Sequence, residues 1–221
     1  MRLSEYLWNQ IRNQRIISLT GSGGKTTLMC LLAEKMQREG HSVLLSTTTK
    51  LASPLHYPYP VQKVFLDDGV FSYRPRTGEG VFYARDYGNG KVCSPELSAF
   101  PLLLPFYDYL LIEADGSRRL PLKYHTARDP VVPSGSFPIA VMGLSSLGKP
   151  IASACFGHTQ EGVVDEAFLQ WLIDQPEGAL KGNARLLVLN QAETIKLPLS
   201  LHAPVPMLYA SEASDVLLMQ V

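Results

Sequence analysis

The sequence TGSGGKTT at residues 20–27 is the part of the chain whose residue types most clearly suggest chemistry. A phosphate chain binds where several backbone N–H groups point into one concave turn, and glycines permit that turn and a close approach. A helix that begins directly after the turn adds positive potential. The sequence therefore predicts a nucleotide phosphate site formed by Gly21, Ser22, Gly23, Gly24, Lys25, Thr26 and Thr27. Lys25 would reach the β- and γ-phosphates, and the Thr26 hydroxyl would bind Mg²⁺.

The spacing of this loop is shorter than in the common GxxxxGK[ST] pattern, because position 19 is Leu19 and not glycine. The pattern present is GxxGKT, which resembles the phosphate loops of Mur-like ligases. An alternative interpretation is a glycine-rich turn that caps a helix and leaves Lys25 exposed. The apolar stretch before the turn and the helical pattern after it favour phosphate binding.

A second signal is LLIEADGS at residues 110–117, an apolar run that ends in two acidic residues. In a phosphate-loop protein, an acidic residue at the end of a neighbouring buried strand holds Mg²⁺ directly or through water. Glu113 and Asp115 point to the same side if the strand continues. Asp-Gly also simply forms turns, but beside a phosphate loop we predict that Thr26, Glu113 and Asp115 hold the metal. We also assign a catalytic role to Asp115, together with Lys25.

Hydroxyl and basic residues follow two of these predicted strands. Residues 46–50, STTTK, end the second apolar stretch, and we predict that Thr48 positions the γ-phosphate or a water molecule. The alternative is that threonine is there because it suits strands. The candidate contacts to phosphates or to a carboxylate substrate are Lys50, Arg118, Arg119 and Lys123. The alternative for the three residues after the Asp-Gly pair is a solvated loop.

The sequence LVLNQAE at residues 187–193 resembles the NKxD signature of guanine recognition, with Asn190 and Glu193 in the outer positions. A carboxylate that accepts from the N1–H and N2–H₂ groups of guanine discriminates against adenine. Gln191 replaces the lysine of that signature, and glutamate replaces aspartate. We therefore predict that Asn190 and Glu193 contact the nucleotide and leave the cofactor as ATP or GTP. An ordinary turn at the end of a strand is the alternative.

The elements that must position these residues follow from hydrophobic periodicity. Apolar residues at positions 3, 7 and 11 predict a helix over residues 3–13. We expect a buried strand at 15–20, a helix at 25–38 that ends at Gly40, and a strand at 42–46. A strand, a helix and a strand within about 30 residues form a βαβ unit, which implies a parallel sheet.

Residues 52–98 differ from the rest, with four prolines and many tyrosines before residue 88. The stretches 81–85 and 91–93 flank YGNG at residues 87–90, and an Asn-Gly pair between short strands favours a type I′ hairpin. We predict a small β-rich insertion here. Further strands are expected at 107–113, 138–143 and 184–190, a helix at 163–172, and a last, edge strand at 204–209. The predicted fold class is α/β, a single P-loop NTPase-like, three-layer domain over residues 1–221 with a mostly parallel sheet.

Composition excludes several other classes of protein. The chain has 221 residues, 20 basic and 20 acidic side chains, and 46% hydrophobic residues, so it is not a disordered charged tail. The zero net charge argues against a general nucleic-acid binder. Three widely spaced cysteines form no disulfide framework. The most apolar stretch, residues 100–112, is too short and broken to span a membrane. We expect a cytoplasmic protein without a membrane or nucleic-acid partner.

Taken together, the motifs TGSGGKTT, STTTK, EADGSRRLPLK, DPVVP and GLSSLGKP resemble the YqeC family over residues 15–195. The resemblance implies an accessory factor of selenium-dependent molybdenum hydroxylases, with maturation proteins of those enzymes as partners. It implies no particular reaction.

Three functions are compatible with these residues. The first is a Mg²⁺-dependent nucleoside triphosphatase that helps to assemble or load a metal–selenium cofactor, with Lys25 and the loop amides stabilising the transferring phosphate. The second is a nucleotide-dependent switch or partner-binding module with negligible turnover. The third is a kinase or ligase that activates a carboxylate or a selenium species by phosphorylation, for which a chain of this length leaves little room.

Overall fold

The computed structural model describes residues 1–221, with the exception of the side chain of Thr194. The helices are α1 (Leu3–Ile11), α2 (Lys25–Arg38), α3 (Ala99–Leu103), α4 (Ile151–Ala154) and α5 (Glu166–Asp174). The strands are β1 (Ile16–Gly21), β2 (Val43–Thr47), β3 (Leu51–Ala52), β4 (Lys63–Phe65), β5 (Gly80–Tyr83), β6 (Arg85–Gly88), β7 (Lys91–Cys93), β8 (Tyr109–Glu113), β9 (Leu122–Lys123), β10 (Phe137–Gly143), β11 (Cys155–Phe156), β12 (Leu186–Asn190), β13 (Met207–Ser211) and β14 (Val216–Gln220).

A nine-stranded sheet forms the centre of the described chain, in the order β14-β13-β12-β10-β1-β8-β2-β5-β4. Each neighbouring pair is parallel except β13 and β14, which are antiparallel. Every residue of β1, β2, β8 and β12 is buried. Such continuous apolar strands fit a parallel sheet that is covered on both faces.

Helices cover both faces of this sheet, which gives three layers. Leu111 packs into a core cluster with residues of α1 and α2. Its neighbours Leu110 and Ile112 point to the opposite face and pack with α3. On that second face, α4 and α5 cover β10, β12 and β13. This architecture confirms the predicted mixed α/β, P-loop NTPase-like fold.

Most predicted elements are present, and the main error lies near the end of the chain. Helix α2 has the predicted bounds, whereas α1 ends two residues before the predicted limit of residues 3–13. The last strand was expected at 204–209 and at an edge, but β13 begins at Met207 and lies between β12 and β14. The edge is formed by β14, which the sequence analysis did not predict.

The β-rich stretch at 52–98 is divided between two sheets. Strands β4 and β5 extend the central sheet in parallel, while β3, β7 and β6 form a separate three-stranded sheet. A hairpin is present at the expected turn, but its first strand is β6 and not the predicted stretch 81–85, most of which forms β5 in the central sheet. The turn residues Asn89 and Gly90 have φ values of 53° and 69°. Positive φ at both central residues is what a type I′ turn requires.

The candidate site lies where the carboxyl ends of β1, β2, β8, β10 and β12 meet, because parallel strands end at one edge of the sheet. The described chain holds no helix that combines the length and the apolar character needed to cross a bilayer.

Candidate functional site

The turn after β1 leads directly into α2, as the sequence predicts. Gly24 stands at the N-cap position without a side-chain cap, and Lys25 is the first helical residue. The N–H groups of Lys25, Thr26 and Thr27 lie in the first helical turn, where no preceding helical carbonyl accepts from them. These donors, together with the positive end of the helix, make the turn suitable for an anion.

Gly24 is required at this turn for two reasons. Its φ is +126°, a conformation that residues with a Cβ rarely adopt. A Cβ at this position would lie 2.2 Å from Nδ2 of Asn190 and 2.6 Å from Oε1 of Glu212. The helix therefore begins where two buried polar side chains approach the backbone of the loop.

Neighbouring strands hold the loop in place through hydrogen bonds. The Gly21 N–H donates to Oδ2 of Asp115 at 2.8 Å, and the Ser22 N–H donates to the carbonyl of Val141 at 2.8 Å. The Ser22 hydroxyl donates to the carbonyl of Leu120. The amides of Gly21 and Ser22 are thus used within the protein, and the donors available to a ligand begin at residue 23.

Asn190 contributes a further anchor from the end of β12. Its Nδ2 donates to the carbonyl of Gly23 at 2.7 Å, and its Oδ1 accepts from the Glu212 N–H at 3.0 Å. Asn190 is buried. The Glu212 carboxylate is also buried, which raises its pKa, and its Oε2 has no hydrogen-bond partner among the described residues.

The ammonium group of Lys25 lies at the centre of the loop. Its Nζ donates to the carbonyl of Gly21 at 2.6 Å and lies 3.0 Å from Oδ1 of Asp115 and 3.8 Å from Oε1 of Glu113. The Lys25 side chain is 4% exposed. The lysine and the two predicted acidic residues therefore form one buried charged cluster beneath the loop.

Asp115 is the centre of that cluster. Besides Lys25, its carboxylate faces Nε2 of His125 at 2.7 Å and Nζ of Lys123 at 3.7 Å. Burial by itself would raise the pKa of Asp115, but the charge of Lys25 and the hydrogen bond from His125 outweigh it and lower that pKa below its ordinary value. In the described chain Asp115 does not line the cleft above the loop. Asp115 therefore supports the loop and holds Lys25 in place.

His125 makes hydrogen bonds with both ring nitrogens. Its Nδ1 faces the carbonyls of Gly178 at 2.9 Å and Glu177 at 3.3 Å, while Nε2 faces the Asp115 carboxylate. All three of these partners are hydrogen-bond acceptors. No local sequence pattern indicates this pairing, because His125 lies ten positions after Asp115 and strand β9 stands between them.

Thr26 and Glu113 form the part of the cluster that faces the cleft. The Thr26 hydroxyl donates to Oε2 of Glu113 at 2.7 Å, and both residues line the cleft. Burial raises the pKa of Glu113, although the charge of Lys25 and the Thr26 hydroxyl oppose this. A hydroxyl and a carboxylate oxygen are ligands of the kind that Mg²⁺ prefers. These two residues fit the predicted metal site better than Asp115, which does not line the cleft.

The cleft above the loop has a volume of about 1840 Å³. The loop before α2, the loop after β8, the segment after β2 and the β6–β7 hairpin form its walls. The residues that line it are Gly23–Thr27, Thr48–Ala52, His56, Tyr57, Tyr59, Asn89–Lys91, Cys93, Ser94, Glu113, Gly116–Leu120 and Phe156.

The polar residues after β2 reach this cleft. Thr48 lines it, and its Oγ1 donates to the carbonyl of Val131 at 2.7 Å, so that an acceptor lone pair remains on the hydroxyl. Lys50 also lines the cleft, where its Nζ contacts the Tyr87 hydroxyl and lies 3.7 Å from the centre of that ring.

The three basic residues after the Asp-Gly pair are placed differently. Arg118 and Arg119 are exposed at the wall of the cleft, and both have positive φ, 52° and 63°. Lys123 is buried, pairs with Asp129 and donates to the carbonyl of Gly116 at 2.7 Å. Lys123 thus stabilises the loop instead of lining the cleft.

The predicted base-recognition pair is separated. Asn190 is used to hold the loop at Gly23, and Glu193 is exposed in a 3₁₀ turn at Ala192–Thr194. Neither residue lines the cleft in the described part of the chain.

Sequence reasoning did not identify His125 and Glu212 as parts of the site. Glu212 directly follows β13, a strand whose bounds were predicted wrongly, so no local pattern in the sequence indicates that this side chain reaches the loop.

Among the described residues, no group of three His, Cys, Asp or Glu side chains is placed to hold a metal ion by itself. A Mg²⁺ site of this kind needs fewer protein ligands, because substrate phosphates and water complete it.

Comparisons with known proteins agree with the motifs. A family model described as "YqeC protein" matches residues 17–159. A protein of Escherichia coli (strain K12) named "Uncharacterized protein YqeC" is 34% identical over 182 residues, covering 75% of this chain and 70% of that protein. No solved structure matches the chain.

Proposed function

This chain belongs to the YqeC family, and we propose that it binds a nucleoside triphosphate with Mg²⁺ and hydrolyses the terminal phosphoanhydride bond. The observation that supports this most directly is the placement of Lys25. Its ammonium lies beneath a turn whose free N–H groups begin a helix, next to Thr26 and Glu113. A polyphosphate in the cleft would meet backbone donors, a lysine and a pair of oxygen ligands together.

Thr26 and Glu113 would hold the Mg²⁺ ion in this proposal. When bound, the ion would neutralise charge on the β- and γ-phosphates. The Thr26 hydroxyl would exchange its hydrogen bond with Glu113, at 2.7 Å, for a bond to the cation. The fit depends on the hard oxygen donors of both side chains.

The residues of the chain would act on the reaction chiefly by position and charge. The N–H groups at the start of α2 and the Lys25 ammonium would stabilise charge that develops on the transferring phosphoryl group. Thr48, whose hydroxyl retains an acceptor lone pair, would orient a water molecule for attack on the γ-phosphorus. The bond from that phosphorus to the bridging oxygen would then break, giving a nucleoside diphosphate and inorganic phosphate.

The test is phosphate release and nucleotide-induced stabilisation with ATP and with GTP, each measured with and without Mg²⁺. Lys25→Ala is expected to lower the rate about 10²–10³-fold, the usual loss for one transition-state donor. Thr26→Ala removes only a hydroxyl and keeps the proposal testable if the loss of a buried charge unfolds Lys25→Ala. Lys35→Ala is the control in the same helix, because Lys35 forms surface ion pairs with Glu5 and Glu39.

Wild-type rates in folded Lys25→Ala would reject the proposed hydrolysis. Binding of a nucleotide that depends on Thr26, with turnover at background, would instead support the nucleotide-dependent switch.

The accessory role in maturation of a selenium-dependent molybdenum hydroxylase is proposed from the family resemblance. It predicts that cells lacking this protein contain inactive hydroxylase, and that wild-type protein restores the activity whereas Lys25→Ala does not. Equal hydroxylase activity with and without this protein would contradict the role.

A further inference from the structure

We propose that the cleft also binds a second, anionic small molecule, whose phosphate or carboxylate group is held by Arg118 and Arg119. The inference rests on the proposed nucleotide binding and adds a ligand class to the same cleft. It is drawn from the size of the cleft, from the charges of its walls and from the way the β6–β7 hairpin is fixed.

The cleft is larger than one nucleotide needs. Pockets that bury a drug-sized ligand measure roughly 300–1,000 Å³, and this cleft measures about 1840 Å³. Besides the loop before α2, its lining includes Phe156 and the hairpin residues Asn89 and Lys91.

The walls carry an excess of positive charge, although the whole chain has no net charge. The cations that line the cleft are Lys25, Lys50, Lys91, Arg118 and Arg119. Among the described lining residues, Glu113 is the one acidic side chain, and Thr26 and Lys25 already contact it. Lys25 and Mg²⁺ would serve the nucleotide, which leaves four cations without an anionic partner.

The two arginines are suited to an oxyanion. Within the described chain, no carboxylate lies within ion-pair distance of either guanidinium. The Cζ atom of Arg118 lies 5.3 Å from the centre of the Phe156 ring. Other arginines of the protein are engaged, such as Arg85 with Asp68. A guanidinium presents a planar fork of donors that matches phosphate and carboxylate oxygens.

The wall formed by the β6–β7 hairpin and the segment after β2 is fixed independently of a ligand. The Ser53 N–H donates to the carbonyl of Gly90 at 2.9 Å, which ties the hairpin to the segment after β3. A Cβ on Gly90, whose φ is +69°, would lie 2.7 Å from Cδ2 of His56. Lys50 is held against the Tyr87 ring. This wall therefore presents Lys50, His56 and the neighbouring Lys91 to the cleft at defined positions.

The experiment first saturates the protein with a non-hydrolysable triphosphate analogue and Mg²⁺. Inorganic phosphate and malonate are then titrated separately at constant ionic strength, and thermal stabilisation is recorded. We expect a saturable rise in Tm with at least one of them. In the double variant Arg118→Gln/Arg119→Gln, the midpoint should shift at least about tenfold, or about 1.4 kcal/mol. Arg12→Gln/Arg38→Gln removes two exposed arginines outside the cleft and should leave the midpoint unchanged.

The two titrants distinguish a phosphate-bearing ligand from a carboxylate. The inference is overturned if neither titrant saturates, or if both double variants behave like the wild type. It is also overturned if Arg118→Gln/Arg119→Gln weakens binding of the analogue itself tenfold, since the arginines would then contact the nucleotide. Failure of the analogue to bind in the first step overturns the proposed function, whereas failure confined to the second titration overturns this inference alone.

Discussion

Asp115→Asn is the substitution that tests most directly whether the buried cluster supports the loop. The change keeps the size of the side chain and removes its charge. Two ammonium groups and one imidazole ring then lose their shared charged partner, because Nζ of Lys25 lies 3.0 Å, Nε2 of His125 2.7 Å and Nζ of Lys123 3.7 Å from this carboxylate. The amide oxygen of asparagine can still accept the N–H of Gly21. The loss is therefore chiefly electrostatic.

The magnitude follows from burial, since all four of these side chains are nearly inaccessible. Removing one partner of a buried ion pair costs about 3–5 kcal/mol, because the remaining charge stays buried without compensation. We take the lower part of that range, about 3–4 kcal/mol, because one hydrogen bond survives. In a chain of this length each kcal/mol shifts Tm by about 2–4 °C, so Tm should fall by roughly 6–16 °C.

The assay is urea and thermal unfolding followed by circular dichroism, with Asp68→Asn as the matched control. Asp68 pairs with Arg85 at the surface and should cost less than about 1 kcal/mol. If the free energy of unfolding of Asp115→Asn lies within about 1 kcal/mol of the wild-type value, the conclusion that this carboxylate stabilises the two buried ammonium groups and the imidazole is refuted.

Two further substitutions test neighbouring conclusions. Asn190→Ala removes the donor to the Gly23 carbonyl and should lower the free energy of unfolding, measured in urea, by about 1–3 kcal/mol. It should also weaken nucleotide binding. Unchanged binding would argue against the conclusion that Asn190 supports the loop. Glu79→Gln should destabilise the protein at neutral pH. Burial raises the pKa of Glu79, but the Arg76 N–H and the Tyr73 hydroxyl outweigh it and hold the pKa below the ordinary 4.5. The stability difference should therefore be present above pH 4.5 and vanish as pH falls through the lowered pKa; a pH-independent difference would contradict this.

The sequence predicts the fold where local signals are sufficient. Helix α2 matches its predicted bounds because a glycine turn begins it and Gly40, with a φ of +86°, ends it. The sheet of β5 could not be predicted, because its apolar run of four residues is compatible with a hairpin or with a buried parallel strand. Pairing partners are chosen by tertiary packing. The same applies to β14, whose identity as an edge strand depends on β13.

The residues of the candidate site also differ in how far the sequence predicts their positions. Lys25, Thr26 and Glu113 lie together because one loop and one strand end carry them, and their spacing is readable in the sequence. The burial of Lys123 was not predicted, because a lysine after two arginines suggests a solvated loop. Its ammonium is paired with Asp129, and the pKa of that carboxyl, which burial would raise, is held low by the hydrogen bond from Lys123. A buried charge of this kind depends on a partner that the local sequence does not indicate.

The absence of glycine at position 19 has a structural reason. Leu19 is fully buried within β1, paired with Ile139 and Glu113, so the strand continues to Gly21 and the loop is short. A longer phosphate loop curls around its ligand with several glycines. Here the backbone of residues 21–23 is held by acceptors and donors from the ends of β8, β10 and β12. The geometry of the turn is therefore fixed by tertiary hydrogen bonds, and substitutions in those strand ends should change phosphate binding without touching the ligand.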